Sequence, residues 1–134
     1  MQVTLNTDGG ISPGPSFGFV VRDAQGEIVH KQGGRLDEGT TSNEAEYSAL
    51  LAGLYCCEHL GATHVKVLAD SQVMIRQLKG QYVVRAENLK PFYIEAKRQC
   101  ADAFEKVTFK HIPREENTIA DGLGREAWEE RWQQ

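Results

Sequence analysis

Apolar and polar residues alternate along residues 3–7. Val3, Leu5 and Thr7 share one face of an extended segment, and Thr4, Asn6 and Asp8 share the other. "FGFVVRD" (17–23) and "EIVHKQGGR" (27–35) read as two further strands, with "AQG" (24–26) as the turn between them. Connections this short make an antiparallel meander the simplest pairing.

The period then changes. Over about residues 43–60, Tyr47, Leu50, Leu51, Leu54 and Cys57 recur at helical spacing. "TTSN" supplies good N-cap residues in front, and Gly61 closes the helix. "HVKVLA" (64–69) is a short strand with Val65, Val67 and Ala69 on one face, and a short helix over about 71–79 follows Asp70 and stops at Gly80. A longer helix over 88–104 rests on Leu89, Phe92, Ala96, Cys100 and Phe104. "KVTFKHI" (106–112) is the last strand, broken by Pro113, and a final helix runs over about 117–131. The order β-β-β-α-β-α-α-β-α predicts an α/β fold. Strands separated by helices run parallel to a neighbour through right-handed crossovers, which gives a five-stranded mixed sheet flanked by helices.

At 134 residues, 40% of them apolar and 25% charged, the chain suits one globular domain, taken as 1–134. Its longest apolar runs, such as Ala49–Leu54, are too short to span a membrane, and "MQVTLNT" enters the first strand with no expected leader. Three cysteines, two of them the adjacent Cys56 and Cys57, form no disulfide framework and no CxxC zinc pair. A cytoplasmic location is the resulting expectation. A net charge of −4 argues against non-specific nucleic-acid binding. From Arg76 to Arg98, however, six basic residues face two acidic ones, which leaves room for a locally basic surface.

Four acids stand at element junctions. Asp8 is expected to end the first strand and Asp70 ends the fourth, while Glu46 and Asp121 fall in the first turns of two helices. Any one of them has an ordinary reading as a cap or a surface carboxylate. Ligands bind at the carboxyl ends of parallel strands, so adjacent first and fourth strands would bring Asp8 and Asp70 together. Converging carboxylates repel and raise one another's pKa, and hard divalent cations such as Mg²⁺ relieve this.

Four motifs resemble the type 1 ribonuclease H family. "TDGG…SPGPSFGFVVRD" resembles its first hairpin, "TTSNEAEYSALLAGL" its TNNxAEYxAL helix, and "LADSQVMIRQLKGQY" its (S/T)DSxxVxxQxxGxY segment. "HIPREENTIADGLGREA" resembles its HxPRExNxxADxLAxxA ending. The match runs in order from about residue 3 to 128, and the absence of a basic insertion after "KGQY" is similar to compact bacterial and archaeal members.

This resemblance implies a ribonuclease H-like fold and hydrolysis of the RNA strand of an RNA–DNA hybrid by two Mg²⁺ (or Mn²⁺) ions, leaving 5′-phosphate and 3′-hydroxyl ends. Asp8, Glu46, Asp70 and Asp121 match the metal-binding carboxylates; Glu44 falls at a variable position of the motif. Gly9, Gly10, Ser42, Asn43 and Gln72 match minor-groove contacts, and Ser12 and Thr41 are candidates for gripping a phosphate of the DNA strand. Of His111, Arg114, Glu115 and Glu116, Arg114 is the first choice for a mobile residue near the last carboxylate. The expected partner is the hybrid alone, with a monomer and no membrane.

Three features depart from the pattern. The first loop is short, and Ser12 stands where Asn is usual. Gly122 and Gly124 predict a loosely started last helix, and Trp128 and Trp132 are expected to pack that helix on the body. The alternatives are a catalytically weak or inactive nucleic-acid binder of the same family, and another nuclease or polynucleotidyl transferase on the same fold.

Overall fold

The computed structural model describes residues 1–132, with side chains through residue 129. Its elements are β1 (Gln2–Gly10), β2 (Ser16–Arg22), β3 (Ile28–Arg35), α1 (Ser42–His59), β4 (His64–Ala69), α2 (Gln72–Leu78), α3 (Lys90–Ala103), β5 (Lys106–His111) and α4 (Thr118–Trp132). A single 3-10 turn, Arg114–Glu116, precedes α4. The strands form one sheet in the order β3-β2-β1-β4-β5. β1, β2 and β3 pair antiparallel, and β1, β4 and β5 pair parallel, as the element order predicts.

The core lies on one face of the sheet. Val3 pairs with Val65, Leu5 pairs with both Val21 and Val67, and Tyr47, Leu50, Leu54 and Cys57 of α1 cover them. These side chains are essentially solvent-free, and each large one contributes about 1.5–3 kcal/mol by leaving water. Tyr47 Oη donates to Gln77 Oε1 at 2.7 Å, which locks α1 to α2 in the interior. No helix among the described residues is long and apolar enough to cross a membrane.

α4 covers β2 and β3 on the opposite face. A Cβ on Gly18 would lie 2.0 Å from the carbonyl oxygen of Ala120, and one on Gly124 would lie 2.9 Å from Ser16 Oγ. The helix backbone therefore rests directly on the strand. This corrects the expectation of a loose start: α4 is helical from Thr118, because the glycine that weakens its intrinsic propensity permits a close tertiary contact. The expected packing of Trp132 lies outside the described side chains.

β1 corrects a second expectation. Asp8 does not end the strand, which pairs on through Gly9↔Phe17 to Gly10↔Ser16. Asp8 is a strand residue with a defined facing, and it shares a row with Gly18 on the α4 side.

Candidate active site

β1 and β4 are adjacent and parallel, so Asp8 near the end of β1 and Asp70 just past Ala69 emerge at the same sheet edge. Glu46 arrives from the other face. It is the fifth residue of α1; the first turn is held by Glu44. Thr41 caps the helix, its Oγ1 accepting from Glu44 N–H at 3.2 Å, while Glu44 Oε1 accepts from Thr41 N–H at 2.8 Å. That capping box occupies Glu44 and holds its carboxyl below the usual range, leaving Glu46 as the acid directed at the site.

Gly9 makes the approach of α1 possible. A Cβ there would fall 2.2 Å from the carbonyl carbon of Ala45. The Gly9 N–H donates to Glu46 Oε1 at 2.7 Å and fixes the carboxylate at the strand. One oxygen from each of Asp8, Glu46 and Asp70 then lies within 4.8 Å of the others.

The electrostatics follow from this crowding. Burial pushes Asp8 up to about 9, with the neighbouring charges of Glu46 and Asp70 and contact with Asp121 adding to it. Glu46 rises to about 8, mainly by burial; the Gly9 hydrogen bond and the Arg114 charge oppose the shift and Asp70 reinforces it. An all-oxygen donor set carrying this excess of negative charge fits a hard divalent cation. Asp8, Glu46 and Asp70 are the residues placed to hold one.

Asp121 borders the same cavity, of about 370 Å³, but is not one of the three clustered acids. Its Oδ2 accepts from Arg125 Nε at 3.0 Å, one helical turn on. Arg125 lines the cavity and was not anticipated; the i,i+4 spacing from Asp121 was its available signal. Arg114 sits on the 3-10 turn, its Nε 3.9 Å from Asp70 Oδ2. Its side chain is 84% exposed and free to turn towards a ligand.

Asn117 is the second residue whose role sequence reasoning missed. It is 2% exposed, donates to the carbonyl of Thr7 at 2.8 Å and accepts from Asn6 Nδ2 at 3.2 Å. The start of α4 is thereby fastened to β1, one turn before Asp121.

Gly9, Gly10, Ser12 and Ser42 line the cavity with the acids. Thr41, Asn43 and Gln72 are not among its lining residues. Gln72 borders a neighbouring groove of about 510 Å³ with Arg76, Lys79, Tyr82 and His111. His111 is an exposed strand-end residue of that groove. The expected basic face is narrower than its six residues suggest, because Lys90 pairs with Glu87, and Arg98 with Glu95 and Asp102. Arg76, stacked over Tyr82, and Lys79 face the groove.

The Ser12 loop is held from behind. Trp128 Nε1 donates to the Pro15 carbonyl at 3.0 Å, its ring closes over Gly14, and Arg35 stacks on it with 4.8 Å to the ring centroid. Trp128 thus packs α4 on the body as expected, and also anchors the loop. A larger cavity of about 770 Å³ lies on the sheet face that α4 leaves open, lined by Thr4, Asn6, Lys66 and Leu68 among others and by none of the clustered acids.

Residues 6–127 match the family described as reverse transcriptase-like. The bifunctional protein Rv2228c of Mycobacterium tuberculosis is 35% identical over 130 residues, covering 95% of this chain and 35% of that protein. The chain thus spans about a third of the length of that relative. Ribonuclease HI of Halobacterium salinarum is 33% identical over 117 residues, covering 87% of this chain and 58% of that protein. The crystal structure of LC11-RNase H1 in complex with an RNA/DNA hybrid superposes with a TM-score of 0.91 at 31% identity, covering 97% of this chain and 99% of that one. Sheet order, helix placement and match length agree, and the chain belongs to the reverse transcriptase-like family, with a fold similar to that of the type 1 ribonucleases H.

Proposed function

We propose that this chain, as one ribonuclease H-like domain over residues 1–134, is a cytoplasmic, monomeric endoribonuclease. Its substrate is the RNA strand of RNA–DNA hybrids, cut to 5′-phosphate and 3′-hydroxyl ends. One observation carries the reading: three carboxylates from β1, α1 and the end of β4 are pressed within 4.8 Å of one another, with the Gly9 N–H on Glu46 and the exposed Arg114, 3.9 Å from Asp70, to offset them. The hybrid bound to LC11-RNase H1 supports the substrate class.

Asp8, Glu46 and Asp70, with Asp121 beside them, would hold two Mg²⁺ ions, or Mn²⁺. Bound there, the ions would supply an activated water nucleophile and neutralise the charge that develops on the phosphate and the departing 3′-oxygen. The protein's own task is placement. Gly9 and the α1 cap hold Glu46, and Asn117 holds the helix that carries Asp121. Arg114 reaches from its exposed turn towards the scissile phosphate. Ser12 and Thr41 grip a DNA-strand phosphate, and Gly10, Ser42, Asn43 and Gln72 meet 2′-hydroxyls and base edges in the minor groove. Gly9 is not a contact in this scheme, since α1 packs on its Cα and its N–H is taken by Glu46. Gly10 has open space where a Cβ would be and remains available to a ligand's backbone.

The alternative of a weak or inactive binder rests on the shortened first loop and on the glycines after Asp121; of these two, the glycines do not loosen α4, which is firmly seated on β2. The direct test is a hybrid labelled in turn on each strand. With Mg²⁺ the RNA strand should shorten and the DNA strand stay whole; an intact hybrid in both Mg²⁺ and Mn²⁺ contradicts the proposal.

A further inference from the structure

Two arginines flank the carboxylate cluster, and they are held differently. Arg114 stands off Asp70 at 3.9 Å on an exposed turn, whereas Arg125 hydrogen-bonds Asp121 at 3.0 Å along one face of a helix. Only the Nε of Arg125 is used. Its Nη1 and Nη2 have no hydrogen-bond partner among the described residues, the side chain is 55% exposed, and it borders the same cavity as Asp8, Glu46 and Asp70. Asp121 itself stays outside the group of three acids whose oxygens lie within 4.8 Å of one another. The backbone beneath this pair cannot give, because α4 rests on β2 with Gly18 against the Ala120 carbonyl. Any change in the pairing must come from side-chain rotation.

We propose that Arg125 is an exchangeable counter-cation of this site. It holds Asp121 while the carboxylates carry no divalent ion, and passes to a backbone phosphate of the bound nucleic acid when they do. The inference rests on the reading of the cluster as a divalent-cation site. Arginine suits both partners, since its planar fork matches a carboxylate and a phosphate alike. The Asp121 pair is half-exposed and therefore weak, so a divalent cation displaces it readily. The freed guanidinium then lies beside the cavity in which the phosphate must sit.

Two signs follow, and a purely structural ion pair gives neither together. A cation that competes for Asp121 lowers metal affinity, so removing it must raise that affinity. A guanidinium that meets substrate phosphate lowers KM, so removing it must raise KM.

The test uses Arg125→Ala and the near-isosteric Arg125→Gln, with Arg125→Lys as the charge-conserving control. Mn²⁺ binding to the protein alone is measured by calorimetry, and KM and kcat are measured on a hybrid. The neutral variants should bind Mn²⁺ about two- to five-fold tighter, the scale of losing an exposed ion pair. Their KM should rise about tenfold or more, with kcat changed far less. Arg125→Lys should recover part of the KM, because it keeps the charge and loses the fork. Unchanged or weaker Mn²⁺ binding, or an unchanged KM, overturns the proposal. Should the wild-type chain bind Mn²⁺ and hybrid yet cut nothing, the proposed activity fails; calorimetry and hybrid affinity in place of KM then still decide the role of Arg125.

Discussion

Gly9 donates its backbone N–H to Glu46 Oε1 at 2.7 Å, and the same residue has no room for a side chain, since a Cβ would lie 2.2 Å from the Ala45 carbonyl carbon. The contact that seats α1 on β1 and the contact that orients the site glutamate are therefore one feature. Gly9→Ala should push α1 off the strand and destabilise the protein by about 1–3 kcal/mol, read by denaturant unfolding. Cleavage should fall about 100-fold even where the variant is fully folded, because the carboxylate moves with the helix. Gly10→Ala, with open space at its Cβ, should leave stability nearly unchanged.

Glu44 caps α1, and Glu46, two residues on, is the acid proposed for the chemistry. Glu44→Ala removes half of the capping box and should lower the melting temperature slightly while cleavage continues. Glu46→Gln should keep the fold and lose about 100-fold or more in cleavage. A Glu44 variant that is inactive and a Glu46 variant that cuts normally would reverse the assignment.

The clustered acids make stability depend on pH and on divalent ions together. Asp8 moves from an ordinary 3.8 to about 9, and Glu46 from 4.5 to about 8. Both bind protons more tightly in the folded chain than in the unfolded one. Their contribution to stability is complete below about pH 4 and is lost as pH rises through about 8 to 9. Melting temperature in EDTA should therefore drop across this range, and Mg²⁺ should restore it most at the alkaline end. Asp8→Asn, freed of the repulsion, should be more stable than wild type at pH 8 in EDTA by about 0.5–2 kcal/mol and gain little from Mg²⁺. A less stable Asp8→Asn under those conditions would count against the crowding.

Asn117 tests the link between β1 and the last helix. Asn117→Ala leaves the Thr7 carbonyl and the Asn6 amide without their buried partner and should cost about 1–3 kcal/mol. Asp121 lies one turn further on, so activity should drop by more than the loss of folded protein explains. Activity per folded molecule equal to wild type would show that Asp121 is placed by other contacts.

Strand and helix periods were readable from the chain because each element buries one face: Val3, Leu5, Val65 and Val67 alternate, and Leu50, Leu54 and Cys57 recur at helical spacing. The mixed sheet followed from the element order, whereas the adjacency of β1 and β4, on which the meeting of Asp8 and Asp70 depends, was only a condition there and is established by their pairing. What escaped prediction depends on contacts between distant segments. Gly124 counts against a helix locally and permits one where α4 lies on Ser16. Asn117 looks like any polar residue before a helix, and only its two β1 partners make it an anchor. Gly9 suggested an opening for substrate because nothing in its neighbours announces Ala45.

The central claim is that the acids of β1, α1 and β4 form a divalent-cation site that cuts RNA paired to DNA. Single-turnover cleavage of a hybrid in Mg²⁺, with binding to the same hybrid followed in parallel, compares wild type with Asp70→Asn most directly. The account predicts cutting of the RNA strand by wild type, and an Asp70→Asn variant that still binds the hybrid but cuts at least about 100-fold more slowly. Equal cleavage by the two proteins, or cleavage that persists in EDTA, would contradict it.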